Sequence, residues 1–382
     1  MLEGITQVPR DEWNALVGDE SPFLEWDWLA SLEEAGAVGD ETGWVPRPLV
    51  VREGSRLIAA TPAYLKAHSE GEFVFDWGWA DAAERAGIRY YPKLLVGIPF
   101  TPVTGARFLV APGEDRTTWV KDLGMALREI CGSNELSGVH VNFLTEKETE
   151  PLVENGYLLR IGLQYHWNNA GFDSFEDYLA RFRSKRRNQI RREQRALQEQ
   201  DVTVEAFVGD AIPDELLPAM YRCYLSTIEN HHHFGRRYLN PEFFELLRER
   251  FRHRLCLVVA RRGDELLAGT TNVVKGNTLY GRYWGALRPL PYLHFIVCYY
   301  GAIRWCIEAG IERFEPGAGG DYKFLRGFDA QPTYSAHHLA DERLAGAVAR
   351  FLESERSQAH DVIEMLNERS ALKPSPTTEP RP

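Results

Sequence analysis

Cysteine is scarce in this chain: five occur among 382 residues, at Cys131, Cys223, Cys256, Cys298 and Cys306. The number is odd, the spacing is irregular and no C-x-x-C pair occurs. That excludes a disulfide framework and a zinc site built on paired cysteines, and the expectation is a reducing compartment. Long apolar runs are also missing. The most apolar helical stretch, Leu293 to Trp305, is too short and too interrupted to span a bilayer, and the N-terminus Met1-Leu2-Glu3-Gly4-Ile5-Thr6 lacks the basic and apolar regions of a signal peptide. These absences lead to the expectation of a cytoplasmic protein with no integral membrane association. Positive charge is in deficit: 44 Lys and Arg face 55 Asp and Glu, a net charge of −11, so the surface as a whole repels nucleic acid and anionic membranes. Any polyanion that binds must meet a local patch. What is there, 44% hydrophobic and 26% charged residues, is the composition of a globular chain of about two domains.

The chain reads as duplicated. Leu49-Val50-Val51-Arg52-Glu53-Gly54-Ser55-Arg56-Leu57-Ile58-Ala59-Ala60-Thr61 returns as Leu257-Val258-Val259-Ala260-Arg261-Arg262-Gly263-Asp264-Glu265-Leu266-Leu267-Ala268-Gly269-Thr270. Each copy predicts a β-hairpin: a β-branched run, a tight turn carrying Gly54 or Gly263, and a second strand extending to Lys66 or Lys275. Each is followed by a helix and a short strand, Thr117 to Cys131 with Val139 to Phe143 in the first half and His294 to Ala309 with Ile311 to Phe314 in the second. Helical sequence precedes each hairpin, Pro22 to Ala35 in one half and Glu215 to Thr227 with Pro241 to Phe251 in the other. The expected division is 1–165 for the first domain, 166–345 for the second, opened by a polar helix over 172–200, 346–372 for a C-terminal helix, and 373–382 for a disordered tail rich in Pro, Ser and Thr.

Several stretches carry residues suited to chemistry. Arg181 to Arg195 holds eight cations in fifteen residues, the one local polycation of an acidic chain. It reads either as a solvated helix face or as a phosphate-binding helix, since arginine forks pair phosphate oxygens bidentately. Phe314-Glu315-Pro316-Gly317-Ala318-Gly319-Gly320-Asp321-Tyr322-Lys323-Phe324-Leu325-Arg326-Gly327-Phe328 is a strand running into a glycine-rich turn and then alternating aromatic and basic residues. Too little chain follows to complete a doubly wound nucleotide fold, so the glycines are read as permitting a sharp turn from which Lys323 and Arg326 reach an anionic or carbonyl group. Asn272, Arg282, Tyr283 and Trp284 lie where the second sheet faces a cleft, and strand alternation puts Arg282 and Trp284 on one face. The run His231-His232-His233 diverges in a loop and makes a poor chelate; no metal is expected. In the first half, Asp76, Tyr91, Lys93 and Arg107 stand in aromatic and charged loops suited to a binding wall.

The arrangement resembles the FemAB-like branch of the GNAT acyltransferases, proteins of two tandem GNAT-like domains, over about residues 20 to 345. The carriers are Ser184-Lys185-Arg186-Arg187-Asn188-Gln189-Ile190-Arg191-Arg192, Tyr221-Arg222-Cys223-Tyr224 with Thr227 ahead of Phe243-Phe244-Glu245-Leu246-Leu247, and Tyr322-Lys323-Phe324-Leu325-Arg326-Gly327-Phe328. Tyr90-Tyr91-Pro92-Lys93, Pro99-Phe100-Thr101-Pro102-Val103 and Phe314-Glu315-Pro316-Gly317-Ala318 belong to the same likeness. It implies an α/β (α+β) fold of two domains, each a mixed sheet flanked by helices, and acyl transfer to an amine with no cofactor of its own.

Two donors follow from the resemblance: aminoacyl-tRNA, or acyl-coenzyme A as in GNAT enzymes generally. Coenzyme A binding there uses a glycine-rich turn at a helix N-terminus, whereas Gly285-Ala286-Leu287-Arg288-Pro289-Leu290-Pro291-Tyr292 has two prolines and no second glycine. The expectation is therefore an aminoacyl-tRNA donor held by Lys185, Arg186, Arg187, Arg191, Arg192 and Arg195, and an amine-bearing small molecule or peptide as acceptor. Lys323 or Arg326 would stabilise charge at the reacting ester, the sequence not choosing between them, and Asp321 or Asp76 would orient the amine. Tyr91, Lys93, Arg107, Asn272, Arg282, Trp284 and Tyr322 would bind substrate. A scaffold that recognises cell-wall peptides without catalysis is the remaining alternative.

Overall fold

The structure, a computed structural model, describes residues 1–230 and 236–373. The His231-His232-His233 run and all of the expected tail beyond Lys373 lie outside these residues. The chain divides into two compact units, each assembled from separated segments: 1–163, 238–250 and 332–362 make the first, and 164–237, 251–331 and the residues from 363 onward make the second.

The strands in chain order are β1 (Trp44–Pro46), β2 (Leu49–Glu53), β3 (Arg56–Thr61), β4 (Ala63–Lys66), β5 (Lys93–Val96), β6 (Leu109–Val110) and β7 (Gly138–Leu144). They continue with β8 (Leu158–Asn168), β9 (Thr203–Val208), β10 (Leu255–Arg262), β11 (Glu265–Lys275), β12 (Thr278–Ala286), β13 (Arg313–Glu315) and β14 (Asp329–Leu339). In the first unit β1, β4, β5, β7 and the later part of β14 lie side by side, β5 and β7 parallel and the other neighbours antiparallel, while β2, β3 and β6 form a small separate sheet. The helix Arg116–Ser133 packs Val120, Leu123, Leu127 and Cys131 against Val139 and Val141 of β7 in the core of this unit.

Both expected hairpins form. β2–β3 turns at Gly54 with φ of 59° and β10–β11 at Gly263 with φ of 55°, the left-handed conformation that glycine adopts without penalty, and each hairpin carries a bulge next to its turn. The second strands differ, however. β11 runs unbroken to Lys275, whereas in the first half Pro62 has no N–H to give to a ladder, and the chain leaves the small sheet after Thr61 and re-enters the main one as β4.

The second unit has the order β8, β13, β12, β11, β10, β9, with β12 and β13 parallel and the remainder antiparallel. The expected 172–200 helix is two helices, Phe175–Ala180 and the basic Ser184–Gln198; the break between them buries Phe182, which bridges to Leu372. The helical stretch 293–308 follows β12 and widens into a π-turn over Ile296–Gly301.

Two segments expected in or after the second domain belong to the first unit instead. Phe243 packs edge-on against Trp28 at 5.3 Å, and the Asn240 amide donates to the Ala35 carbonyl at 2.5 Å, holding 238–250 there. The long helix Glu342–Glu368, which belongs to the first unit up to Val362, buries Leu344, Val348 and Leu352 in a cluster with Trp79, Ala83, Tyr90 and Leu339. No helix among the described residues is long and apolar enough to cross a membrane.

Candidate functional site

β12 and β13 are hydrogen-bonded only from Thr278 to Tyr280 against Arg313 to Glu315. β12 then continues to Ala286 along β11 alone, while the chain after Glu315 turns away through Pro316 and the glycines. Two parallel strands that part in this way leave a wedge. A cavity of about 190 Å³ occupies it, with Thr270, Asn272 and residues 281–284 on one side and Phe314, Pro316, Ala318, Gly319 and Gly320 on the other.

Tight glycine contacts build the wedge. A Cβ on Gly281 would stand 3.1 Å from the Pro316 Cα, and one on Gly285 would stand 1.7 Å from the carbonyl oxygen of Cys223 in the helix Leu216–Asn230. The strand therefore lies directly on that helix, and Thr227 of the helix donates to the Trp284 carbonyl. A bulge corrects the expected alternation. Gly281 pairs with Asn272 and Tyr283 with Thr271, so Arg282 is the extra residue and stands beside Tyr283, its guanidinium 5.3 Å from that ring. Trp284 turns instead to His294, at 5.0 Å between rings, and Tyr283 packs on Tyr224.

Lys323 closes the cavity from the glycine turn and is only 3% exposed. Its ammonium donates to the carbonyls of Gly317 at 2.6 Å and Ala318 at 3.2 Å. An ammonium has three N–H donors, so a third remains for the cavity. Burial holds the Lys323 amine down at about 8, against a small opposing effect of Cys298. His294 lines the same space, held neutral at about 4 by burial and by the fields of Arg326 and Lys323.

The other residues singled out in the sequence divide clearly. Asn272, Arg282, Trp284, Tyr322 and Lys323 come together around this one cavity. Arg326 does not line it: its guanidinium donates to the Tyr322 carbonyl at 2.9 Å, lies 3.5 Å over the Phe295 ring and stands 3.8 Å from Glu193 of the basic helix. It braces the turn that carries Lys323. The side chain of Asp321 lies outside the described residues.

In the first unit Lys93 is buried with its ammonium 2.5 Å from Asp76, 2.9 Å from Glu72 and 2.9 Å from Ser69, and Tyr90 donates to Asp76 at 2.7 Å. Tyr91 shares a hydrogen bond with Ser69 at 2.8 Å. Burial pushes the Glu72 carboxyl up to about 7, while Lys93 and His140 outweigh burial at Asp76 and hold it well below its usual range. Asp76 and Lys93 thus answer each other rather than face an open space. The substrate-binding expectation for Arg107 is overturned: it is fully buried and gives its N–H groups to the carbonyls of Asn142, Gly105, Ala106 and Val103. A guanidinium that gives four of its five N–H groups to backbone carbonyls in this way is a clamp on the loop.

On the basic helix Ile190, Glu193 and Leu197 are buried, so the opposite side is exposed. Arg191 pairs with Glu176 at 2.6 Å and Arg186 donates to Gln189 at 3.0 Å, whereas Lys185, Arg187, Arg192 and Arg195 have no ion-pair partner among the described residues. Lys185, Arg186 and Arg187 occupy the first turn, where the helix dipole disfavours cations by about 0.3–1 kcal/mol each. Their field and that of the dipole add at the same end.

The model of one family matches residues 4–374, nearly the whole chain; it is the FemAB-like model, described as peptidoglycan biosynthesis/recognition. The chain belongs to the FemAB-like family. Solved structures share its fold. FemX is 12% identical with a TM-score of 0.55, covering 90% of this chain and 98% of that one, and L-PGS from Bacillus licheniformis is 10% identical at 0.51, covering 91% and 97%. The C-terminal domain of a candidate lysylphosphatidylglycerol synthetase from Agrobacterium fabrum is 12% identical at 0.53, covering 90% and 95%. No curated protein matches the chain in sequence. The fold is α/β, with a mixed sheet flanked by helices in each unit.

Thr270, Cys298 and Tyr299 line the cavity without having been marked in the sequence, and so does His294, which the sequence offers only as a weak candidate for acid–base work. His294 had one signal, its position at a helix start. The others had none, because their part depends on where β12 and β13 separate.

Proposed function

We propose that this FemAB-like protein transfers an aminoacyl group from aminoacyl-tRNA to the amine of a small molecule or peptide, forming an amide bond. The observation that carries the reading is the buried Lys323 ammonium with one donor left over at a cavity of about 190 Å³ where two parallel strands separate. Such a cavity holds a reacting ester and a short side chain, with the bulk of the donor outside.

In this chemistry the amine attacks the ester carbonyl, charge gathers on the carbonyl oxygen, and the ribose oxygen departs. Ribose hydroxyl is a poorer leaving group than a thiol, so a proton donor or cation near the departing oxygen lowers the barrier. Lys323 suits that role and Arg326, turned to Glu193 and Phe295, does not. Asn272, Arg282 and Trp284 would hold the aminoacyl group and Tyr322 the acceptor. The cations of the basic helix that have no ion-pair partner among the described residues would hold tRNA phosphates. The donor reading is supported further by Pro289 and Pro291 ahead of the 293–308 helix: proline offers no N–H, so the amide cradle that a pyrophosphate needs is depleted.

The test is incubation with charged tRNA and candidate amines, with and without RNase, beside an acetyl-coenzyme A assay. RNase-sensitive amide formation is the expected result. RNase-resistant acetylation would replace the donor by acyl-coenzyme A, and peptide binding without any product would leave a recognition protein. In the active system Lys323→Ala lowers kcat by about 10²-fold or more. A change confined to KM would remove Lys323 from the chemistry.

A further inference from the structure

Asn272 of β11 stands in register with Gly281 of β12, and residues directly opposite each other in an antiparallel pair project on one face. A Cβ on Gly281 would meet the Pro316 Cα at 3.1 Å, so the glycine turn crosses over that same face. Lys323 holds this turn through the carbonyls of Gly317 and Ala318, and Asn272 and Lys323 line one cavity. Asn272 is only 2% exposed, and both hydrogens of its amide nitrogen are in use: Nδ2 donates to the Cys256 carbonyl of β10 at 3.0 Å and to Thr270 Oγ1 at 2.9 Å. A backbone carbonyl cannot donate, so the nitrogen must face Cys256 and the amide has one orientation. Thr270 in turn gives its hydroxyl to the Val258 carbonyl at 3.3 Å. The Asn272 Oδ1 accepts from nothing among the described residues, yet it is not sealed in as the unpartnered Asn142 Oδ1 is. The space open to it is the cavity that Asn272 lines.

Donors make up much of the remaining lining. Lys323, Arg282 and the Trp284 indole only donate, whereas Asn272 supplies an acceptor whose direction the chain fixes. A group that answers both Lys323 and Asn272 has a carbonyl oxygen and, on the adjacent carbon, an N–H. A plain acyl group has the first alone. We infer that Asn272 is a specificity-determining residue that receives the α-amine of the transferred group at Oδ1, so that the site takes α-aminoacyl and rejects plain acyl groups, with Thr270 as the positioning residue that holds the amide. The inference rests on the amide-forming reading above and narrows it, because Lys323 serves the reacting carbonyl of either kind of group. An α-amine titrates at about 8, and the nearby Lys323 ammonium favours its uncharged form. An amide oxygen accepts from such an N–H without a charge of its own.

The experiment uses two donors that differ by that one group: a short RNA hairpin ending in CCA, esterified at its terminal ribose with alanine or with propionate, given to the full chain with the same amine acceptor. Wild type is expected to favour the alanyl donor by about 10- to 100-fold in kcat/KM, the loss that follows when a buried acceptor is left unanswered. Asn272→Leu brings the two donors to within about threefold of each other by slowing alanyl transfer. Propionyl transfer holds, which also shows that the variant folds. Thr270→Val lowers the preference and Thr270→Ser, which keeps the hydroxyl, restores it; a residue that only packs would slow both donors alike. Equal use of the two donors by wild type, or the wild-type preference kept in Asn272→Leu, overturns the inference. If Asn272→Leu does not fold, the wild-type preference and the Thr270 pair decide. Should the donor prove to be acyl-coenzyme A, the tRNA reading fails, and alanyl- against propionyl-coenzyme A judges Asn272 in the same way. If nothing is transferred, the amide-forming reading fails and binding decides: alaninamide is expected to bind wild type about 10-fold more tightly than propionamide by ligand-detected NMR, and equal binding overturns the inference.

Discussion

Lys323 and Glu315 are both displaced toward neutrality by burial, the amine downward to about 8 and the carboxyl upward to about 7. If Lys323 must be protonated, kcat falls as pH rises through about 8, a limb measurable by single turnover. Lys323→Arg removes the falling limb, because guanidinium keeps its proton, while the flat fork fits the carbonyls of Gly317 and Ala318 less well and lowers the maximum. The linkage to stability has the opposite direction for Glu315. Its folded value exceeds its unfolded one, so its contribution is whole below about 4.5 and is lost as pH rises through about 7. Buried, ionisable and without a full set of hydrogen bonds, it costs the fold up to about 3 kcal/mol above that pH, which Glu315→Gln relieves. Lys93 makes the contrasting case. Its charge is matched by Glu72 and Asp76 within 2.9 Å, and Lys93→Met leaves buried Asp76 without its cation and Glu72 with Lys66 at 3.9 Å, for which a loss of about 3–5 kcal/mol is expected in urea unfolding of the full chain. Both lysines were legible in the sequence as charges among aromatics. Their different uses were not, because a flanking pattern does not say whether a carboxylate waits on the other side. Glu315 escaped notice for a related reason: the sequence does not say that Arg313 of its own strand, at 2.9 Å, and His166 of β8, at 3.8 Å, meet its carboxylate in a buried place.

Elements were more legible than residues where the signal was local. The repeated Leu-Val-Val runs with Gly54 and Gly263 give hairpins because turn chemistry and alternation act over a dozen residues, and the helices Arg116–Ser133 and Leu216–Asn230 follow from their apolar stripes. What the sequence could not express is which sheet a strand joins. Pro62 marks a break, but that β4 then pairs with β1 and β5 instead of continuing beside β2 is decided by partners distant in the chain. The bulge at Arg282 is another such case: one extra residue turns Arg282 toward Tyr283 and alters the lining of the cavity, with no local mark beyond the neighbouring Gly281. The close seating of β12 on its helix can be tested directly. An Ala Cβ at 285 would lie 1.7 Å from the Cys223 carbonyl oxygen, a contact with backbone that no rotamer relieves. Gly285→Ala should therefore destabilise the second unit by about 1–3 kcal/mol or more, seen as a lower urea midpoint, whereas alanine at Gly263, a turn with open space around it, should cost only about 1 kcal/mol of backbone strain.

At the scale of the whole molecule the opposing facts are a net charge of −11 and a helix whose Lys185, Arg187, Arg192 and Arg195 have no ion-pair partner among the described residues. A surface that repels polyanions generally and attracts them at one place selects for a ligand that reaches that place. The attraction is screened over about 8 Å at physiological salt, so the acidic remainder contributes mainly to the approach and the helix to the contact. Two quantities then separate. Replacing the four cations by Gln should raise KM for charged tRNA, leave kcat at saturating donor unchanged, and reduce the slope of log affinity against log salt by about 3, since each phosphate neutralised contributes about 0.7 to 0.9. If the donor is acyl-coenzyme A instead, the same variant loses far less, because a single small ligand cannot meet cations spread over three turns of helix. A variant whose salt slope equals that of wild type, measured by filter binding between 50 and 200 mM salt, would mean that these charges only keep the helix hydrated and that any tRNA is held elsewhere.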